Sequence, residues 1–285
     1  MNKYIEIIKP RIILSNLISM CGGFFLSSKD KFDLLLFFFI FLGFFFVLIS
    51  GCIFNNIIDR DIDSFMRRTK NRILVKNKIL YKQAIVYAIA FLIIGLFILF
   101  FFVNFLSFLV SLFGIFIYVV LYSLYFKRNS IYSTIIGGIS GSIPPFFGYC
   151  SVKNSFDFCS FILFLIFLCW QISHFYSISI IYNKDYYNIK LPIFIFIKGI
   201  NKTKINIIIH ICLFFISNLL LYYNNFVSYN FILIIFFCSF IWFLISCLSL
   251  FFSNSIFFYE KVNFYFSIFI IFIFSVLISF DFNFL

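Results

Sequence analysis

The chain has 285 residues, of which 64% are hydrophobic and only 11% are charged, and its mean hydropathy is +1.12. A soluble domain carries about 25% charged residues, so this composition excludes a water-soluble fold and predicts a protein surrounded largely by lipid. The formal net charge of +12 comes from Lys and Arg gathered beside the apolar segments. We interpret it as a signal of both topology and function, and we expect no nucleic-acid partner.

Nine apolar segments are long enough to cross a bilayer, because a hydrocarbon core of about 30 Å needs roughly 20 helical residues. Lipid offers the backbone no hydrogen bonds, which favours helices, and the segments are too long for barrel strands. We therefore predict an all-α polytopic membrane protein with one integral-membrane domain over residues 1–285. The predicted spans are 11–28, 34–54, 83–103, 106–126, 131–150, 158–181, 205–223, 228–252 and 262–281.

Positive charge is distributed unevenly between the two sides of these spans. Of the 22 Lys and Arg residues, all except Lys29, Lys31 and Lys153 fall on one side. The positive-inside rule predicts that this side is cytoplasmic, with the N-terminus inside and the C-terminus on the opposite side of the cell (inner) membrane. No small-residue cleavage site follows the first ten residues, so we expect the first helix to be retained.

The most polar segment is FNNIIDRDIDSFMRRTKNRIL, residues 54–74. Asn55, Asp59 and Asp63 are spaced by four, so on a helix they advance by only about 40° per step and share one face. Three oxygen-bearing side chains in a row suit a hard cation such as Mg²⁺. Asp61 is expected to point elsewhere and to be solvated.

A cationic cluster follows this row directly and consists of Arg67, Arg68, Lys70 and Arg72. Guanidinium and ammonium groups suit phosphate oxygens, so carboxylates and cations together predict a site for a metal-bridged diphosphate. The alternative is a solvated loop in which Asp and Arg pair with each other. The four-residue spacing of the acidic row favours the functional interpretation.

A second polar group lies within CWQISHFYSISIIYNKDYYNIKLP, residues 169–192. His174 is an ionisable residue inside an apolar run, which makes it a functional candidate, although it could also be a packing residue that bonds a neighbouring helix. Asp185 follows eleven residues later. On a continuous helix it would lie on nearly the same face, roughly 16 Å away.

The richest stretch in Gly and Pro is residues 122–149. Gly137 and Gly141 form a small-xxx-small ridge that predicts close helix packing. Pro144 and Pro145 are expected to bend or end that span before its outer end. Lys127 and Arg128, which precede the ridge, are weaker phosphate candidates.

Together these segments resemble the UbiA superfamily of intramembrane prenyltransferases. The matching stretches run from residue 9 to about residue 204 and are KPRIILSNLISMCGGF, NNIIDRDID, RRTKNRILV, YSLYFKRNSIYSTIIGGISGSIPPFFGY, WQISHFYSISIIYNKDYYNIKLPIF and IKGINKTK. Within the superfamily the chain is similar to the protoheme IX farnesyltransferases, through WQISHFYSISIIYNKDYYNIKLP and YSLYFKRNSIYSTIIGG.

The resemblance implies nine helices around a central cavity, farnesyl diphosphate as donor, heme B as acceptor, and a divalent metal. It implies farnesyl transfer with addition of water to give heme O, which a heme-copper oxidase or another downstream heme enzyme would receive. It assigns the Mg²⁺ ligands to Asn55, Asp59, Asp63 and Asp185, with the three aspartates as catalytic residues.

The same resemblance assigns diphosphate binding to Arg67, Lys70, Arg72 and Lys184, and heme binding to His174. Ile189 stands where the wider superfamily has a further Asp. This difference argues against a second fully coordinated metal ion.

Three alternatives remain open at the level of sequence. The chain could be a prenyltransferase of the same superfamily that acts on an aromatic quinone precursor, although His174 and the segment KDYYNIKLP disfavour this. It could be a cation-coupled transporter with Asp59, Asp63 and Asp185 as a relay, yet no pair of half-helices crosses the midplane. It could be an inactive scaffold, which the intact acidic row disfavours.

Overall fold

The computed structural model describes residues 3–29, 31–189, 191–252 and 256–281, and these residues contain helices and no strand. Nine of the described helices are long and apolar enough to cross a membrane, as predicted. We refer to them in chain order as the first to the ninth span. They are Pro10–Ser27, Leu34–Ile58, Tyr81–Phe102, Phe105–Asn129, Ser133–Lys153, Phe158–Ile181, Ile200–Tyr223, Tyr229–Phe251 and Ile256–Phe280.

A short helix, Lys3–Ile7, precedes the first span, and others occupy connections on the same polar side, namely Arg60–Phe65, Asn183–Asn188 and Phe194–Lys198. Several spans extend past their predicted apolar limits into polar flanks. The seventh begins at Ile200 and so includes Lys204, which is 2% exposed, and the ninth includes Glu260, which is 1% exposed. Hydropathy places the predicted end of a span at the first charged residue. The helix itself continues past that residue where neighbouring helices bury the charge beside a partner.

Side-chain caps start four spans at the same face of the bundle. Asp33 accepts hydrogen bonds from the N–H groups of Leu35 and Leu36 at the start of the second span. Asp157 and Ser160 form a reciprocal capping box at the start of the sixth. At the start of the fourth and eighth spans, the side chains of Asn104 and Ser228 accept hydrogen bonds from backbone N–H groups. Each cap stabilises its helix by about 1 kcal/mol, so these short turns are well defined.

The first span packs closely against the fifth, and two glycines allow it. A Cβ atom at Gly23 would lie 2.0 Å from the carbonyl oxygen of Pro145, and one at Gly148 would lie 2.1 Å from that of Met20. No side chain fits at such distances, so these glycines let the two backbones touch. Small residues have this role generally at helix interfaces in membranes.

Gly137 and Gly141, which we predicted to be the packing ridge, approach side chains instead. A Cβ atom at Gly137 would meet the rings of Phe175 at 2.8 Å and Tyr122 at 2.9 Å, and one at Gly141 would meet Gln171 at 2.7 Å. The ridge therefore makes room for side chains beside the cavity described below, and the backbone contact lies further along the same helix.

Pro144 and Pro145 lie inside one continuous helix, Ser133–Lys153. The expectation that they could end the fifth span early is therefore wrong. Membrane helices tolerate proline where neighbouring helices surround the backbone groups that proline leaves unpaired, and both prolines here are buried against other spans.

Candidate active site

A cavity of about 470 Å³ lies between the first, second, fourth, fifth, sixth and ninth spans. Its charged lining residues come from helix ends and from the loop after Phe65, on one side of the bundle, and they are Lys9, Asp59, Asp63, Arg68, Arg72 and Lys127. Aromatic side chains line the interior, and they are Phe44, Tyr118, Tyr122, Trp170, Phe175 and Phe264. Tyr186 lines the cavity from the short helix Asn183–Asn188 on the polar side. The cavity therefore joins a charged mouth to an apolar interior.

Asn55, Asp59 and Asp63 line this cavity together. The second span ends at Ile58 and the short helix Arg60–Phe65 follows, yet the helical hydrogen bonds continue through the junction. The N–H of Asp59 donates to the carbonyl of Asn55 at 2.9 Å, and the N–H of Asp63 donates to that of Asp59 at 2.8 Å. The four-residue spacing is thereby preserved, and all three side chains are at least 95% buried.

Each member of this row has a cationic partner, and two of the three partners come from remote parts of the chain. Lys127 Nζ lies 2.5 Å from Asp59 Oδ2, and the guanidinium of Arg72 pairs with Asp63. Lys9 Nζ donates to Asn55 Oδ1 at 2.5 Å. Burial, together with the nearby Arg72, lowers the pKa of Lys9 from 10.5 to about 8.

Lys9 reaches the cavity through an unusual backbone conformation. Its φ of 55° is in the left-handed region, which is uncommon for a residue with a side chain. Pro10 follows at the start of the first span and disfavours the right-handed helical conformation for Lys9. The first span therefore begins with a strained residue whose ammonium group contacts the acidic row, and strain of this kind clusters at functional sites.

Asp59 offers a free ligand position for a metal ion. Its Oδ2 accepts from Lys127 and from Asn55 Nδ2, whereas its Oδ1 is buried and has no hydrogen-bond partner among the described residues. An unpaired buried carboxylate oxygen is costly, and a hard cation would satisfy it. The oxygens of Asn55, Asp59 and Asp63 therefore fit a divalent metal. No group of three or more His, Cys, Asp or Glu residues in the described part of the chain could hold one by itself.

Asp185 occupies a different position from the one we expected. The sixth span ends at Ile181, and the helix is interrupted at Tyr182 before the short helix Asn183–Asn188. The assumption of one continuous helix is therefore wrong. Asp185 is 9% exposed and is not among the cavity-lining residues, whereas its neighbour Tyr186 is.

The predicted diphosphate residues are divided by the structure. Arg72 lines the cavity, whereas Arg67, Lys70 and Lys184 are exposed and lie outside its lining. Arg68, the remaining member of the cluster, lines the cavity and places its guanidinium 4.7 Å from the centre of the Tyr182 ring. It thereby links segment 67–72 to the end of the sixth span.

His174 lines the interior of the cavity between two parallel rings. The Trp170 ring lies 5.3 Å away at 20°, and the Phe264 ring lies 4.9 Å away at 25°. His174 Nδ1 is 2.7 Å from Ser267 Oγ on the ninth span. His174 thus makes the hydrogen bond to a neighbouring helix that the packing interpretation requires, and it also faces the cavity, as a ligand-binding residue must.

A π-helical stretch, Ile117–Phe126, shapes the wall contributed by the fourth span. Tyr118 and Tyr122 stack with ring centres 6.1 Å apart, and Tyr122 continues onto Phe175 at 6.5 Å. Ser123 Oγ accepts from Asn55 Nδ2 at 3.1 Å and so connects this wall to the acidic row. Wide turns of this kind are frequent at functional sites. Sequence reasoning missed this wall, because aromatic residues are 25% of the chain and no single one stands out.

The lining combines four cations with two carboxylates, which leaves an excess of positive charge at the mouth. Such a mouth attracts a polyanionic group, and the carboxylates make a bridging cation favourable. The aromatic interior suits a long apolar substituent. The arrangement therefore fits an amphiphile that carries its phosphates at one end, and it contains no pair of nucleophile and base among the described lining residues.

The sequence is similar to the sequences of known proteins. The family model described as the UbiA prenyltransferase family matches residues 16–255. A protoheme IX farnesyltransferase from Wigglesworthia glossinidia brevipalpis is 46% identical over 86% of this chain and 84% of its own length. A protein of the same name from Buchnera aphidicola subsp. Baizongia pistaciae is 42% identical over 86% and 85%.

Solved structures show the same fold at low sequence identity. A digeranylgeranylglyceryl phosphate synthase superposes with a TM-score of 0.77 at 19% identity, covering 96% of this chain and 98% of that chain. A UbiA homolog from Archaeoglobus fulgidus bound to GPP and Mg²⁺ has a TM-score of 0.69 at 15% identity, with coverage of 98% and 99%.

Proposed function

We propose a function from the premise that this chain belongs to the UbiA prenyltransferase family. In this proposal the chain transfers the farnesyl group of farnesyl diphosphate to a vinyl group of protoheme IX (heme B). Water adds in the same reaction, and the products are heme O and diphosphate. The observation that carries this proposal is one cavity that joins a cationic, carboxylate-bearing mouth to an aromatic interior containing His174. Relatives that share 42–46% identity over most of the chain carry the name of this activity.

The charged mouth is suited to ionise the donor. When the allylic C–O bond breaks, the electron pair leaves with the diphosphate. Fixed positive charge beside the diphosphate lowers the energy of this transition state. Lys9, Arg68, Arg72 and Lys127 supply such charge from the cavity lining. Asn55, Asp59 and Asp63 would hold Mg²⁺, which when bound neutralises further charge on the leaving group.

The aromatic interior is suited to the second half of the reaction. The vinyl π electrons of heme form the new C–C bond to the allylic carbon, and water then adds to the resulting cation and releases a proton. The rings of Tyr118, Tyr122 and Phe175 exclude bulk water from the allylic cation, whose early capture would give a free alcohol. Their faces also stabilise positive charge. No protein nucleophile is needed.

Some assignments rest on the family resemblance more than on the cavity. We propose Asp185 as a further metal ligand, and Arg67, Lys70 and Lys184 as diphosphate contacts that approach when substrate binds. Two contacts support this extension: Tyr186, next to Asp185, lines the cavity, and Arg68, next to Arg67, stacks on Tyr182.

The chain is a multi-pass membrane protein, and we propose the inner membrane as its location, with the N-terminus in the cytoplasm and the C-terminus opposite. We also propose a single domain over residues 1–285, because the cavity takes lining residues from both the first and the ninth span. A heme-copper oxidase or another heme enzyme would receive the product.

The test is to extract hemes from membranes of a heterotrophic host that lacks its own enzyme, with and without this chain. We expect a new heme that is heavier by one farnesyl group plus water. Protoheme alone, despite stable membrane insertion, would overturn the choice of acceptor. Incubation with 4-hydroxybenzoate and a prenyl diphosphate then distinguishes an aromatic acceptor, because that activity would yield a prenylated benzoate.

A further inference from the structure

Ser267 on the ninth span is the meeting point of three hydrogen bonds beside His174. The indole N–H of Trp170 donates to the Ser267 carbonyl at 2.6 Å. The Ser267 hydroxyl lies 2.6 Å from the Phe264 carbonyl oxygen and 2.7 Å from His174 Nδ1. Ser267 itself is 1% exposed and is not among the cavity-lining residues, so it can act on a ligand only through its neighbours.

The single hydroxyl proton decides which nitrogen of His174 carries hydrogen. A serine hydroxyl donates once, and the Phe264 carbonyl can only accept. Two oxygens 2.6 Å apart with no proton between them would repel, so the Ser267 proton belongs to the bond with Phe264. The Ser267 oxygen must then accept from His174, and a neutral imidazole in that position carries its hydrogen on Nδ1.

We propose that Ser267 is a positioning residue that fixes His174 in the Nδ1–H tautomer, so that the unprotonated Nε2 is the atom offered to the ligand in the cavity. A hydrogen bond at one ring nitrogen sets the state of the other in this way at many metal-binding histidines. The ligand class that this prepares for is a metalloporphyrin, because a neutral imidazole nitrogen is a common axial ligand of heme iron. Naming heme as that ligand rests on the proposed function.

The same neighbours also fix the plane of the ring. Trp170 and Phe264 stack on His174 at 20° and 25°, from the sixth and ninth spans respectively. Both residues bond to Ser267: the Trp170 indole donates to the Ser267 carbonyl, and the Phe264 backbone carbonyl accepts from the Ser267 hydroxyl. A quarter-turn of the imidazole would break the Nδ1 bond and both stacking contacts, and a half-turn would break the Nδ1 bond, so tautomer and orientation are set by one small group of residues.

The tautomer can be measured without any substrate. The chain has only two histidines, and His210→Gln leaves His174 as the single residue labelled by ¹⁵N-histidine. In His210→Gln protein reconstituted in lipid without heme, we expect the Nδ1 resonance of a protonated nitrogen and the Nε2 resonance of an unprotonated one. Adding Ser267→Ala should move part of the population to the other tautomer, whereas Ser267→Thr, which keeps the hydroxyl, should restore the parent spectrum.

Ser275→Ala is the matched control, because Ser275 is also a buried serine of the ninth span whose hydroxyl donates to its own helix, at the Ile271 carbonyl. It lies outside the cavity lining, so the His174 spectrum should not change. An Nε2–H tautomer in the parent, or the same spectrum with and without the Ser267 hydroxyl, would overturn the proposal.

Heme titration of the full-length chain then tests the ligand. We expect a nitrogen-ligated heme spectrum that His174→Ala abolishes, and an affinity for heme about tenfold lower in Ser267→Ala, with farnesyl diphosphate binding unchanged. If the tautomer result holds but heme shows no nitrogen ligation in the parent, the role of Ser267 stands and the assignment of heme to Nε2 is overturned. The two experiments therefore distinguish an error in the proposed heme acceptor from an error in the role of Ser267 in setting the His174 tautomer.

Discussion

Two aspartates on one short helix, Arg60–Phe65, have opposite environments and provide a controlled test of the acidic row. Asp63 is 3% exposed, lines the cavity and pairs with Arg72, whereas the Asp61 side chain is 61% exposed and pairs with Arg128 outside the lining. We expect Asp63→Asn to lower the rate of heme O formation about 100-fold or more, because a carboxylate that would hold the metal is lost while side-chain size is kept. Asp61→Asn should stay within about twofold, since exposed ion pairs contribute little. Equal effects of the two substitutions would contradict the assignment.

Two neighbouring cations allow the same comparison for the donor. Lys127 contacts Asp59 in the cavity, and Arg128 makes two hydrogen bonds to the exposed Asp61. Lys127→Gln removes charge from the mouth, so we expect KM for farnesyl diphosphate to rise about tenfold. Arg128→Gln should leave KM unchanged. Steady-state kinetics in membranes, with protein amounts measured by immunoblot, would show whether only the first variant responds.

The acidic row and the cations around it differ in how far sequence could predict them. Asn55, Asp59 and Asp63 were found because their spacing of four is a local signal that a helix converts into one face. Lys9 and Lys127 are separated from their partners by 46 and 68 residues, and no local pattern encodes such a contact. Arg67 and Lys70 belong to a charge run, and a charge run does not indicate which of its members turn inward. Lys184 was assigned only through the family resemblance.

At the scale of single helices, two glycines of the fifth span have different neighbours and therefore different predicted effects. A Cβ at Gly148 would collide with the Met20 backbone, whereas a Cβ at Gly137 would meet the rings of Phe175 and Tyr122, which can shift. Gly148→Ala should therefore separate the first and fifth spans and lower the Tm in detergent, because overpacking costs about 1–3 kcal/mol. Gly137→Ala should keep the Tm near that of the parent and instead reduce turnover by narrowing the cavity wall. A loss of Tm confined to Gly137→Ala would contradict this division.

The helices themselves were largely predictable, and their interruptions were not. Apolar length located all nine spans, because lipid imposes the same constraint on each of them. The break at Tyr182 and the π-helical turn over Ile117–Phe126 depend on packing between distant helices, so no apolar pattern marks them. These irregular places shape the site: one determines where Asp185 and Tyr186 lie, and the other forms the tyrosine wall.

At the scale of the whole molecule, the cavity exists only because the first and ninth spans close it against the second, fourth, fifth and sixth. Composition and loop charge predicted the number of spans, but they contain no information on which spans are neighbours. The motifs lie in residues 9–204, yet Phe264 and Ser267 of the last span complete the surroundings of His174. The final third of the chain therefore contributes to the site without carrying a recognisable motif.

The charges of the assembled cavity predict that metal and donor bind together. Four cations in the mouth attract a diphosphate, whereas two carboxylates repel it unless a cation bridges them, so Mg²⁺ should strengthen the binding of farnesyl diphosphate. Because coupling between two ligands is reciprocal, each should raise the affinity for the other by the same factor, of about tenfold or more. Equilibrium dialysis of each ligand at several concentrations of the other measures both factors.

Chelation should abolish turnover, and added Mg²⁺ should restore it. In Asp63→Asn the Mg²⁺ dependence of donor binding should shrink, while metal-free binding should improve slightly, since one repelling carboxylate is gone. Two results would contradict this: donor binding in the parent that does not change with Mg²⁺, or an Asp63→Asn variant in which Mg²⁺ strengthens donor binding as much as in the parent. Either would mean that the acidic row serves only as the partner of Arg72 and Lys127.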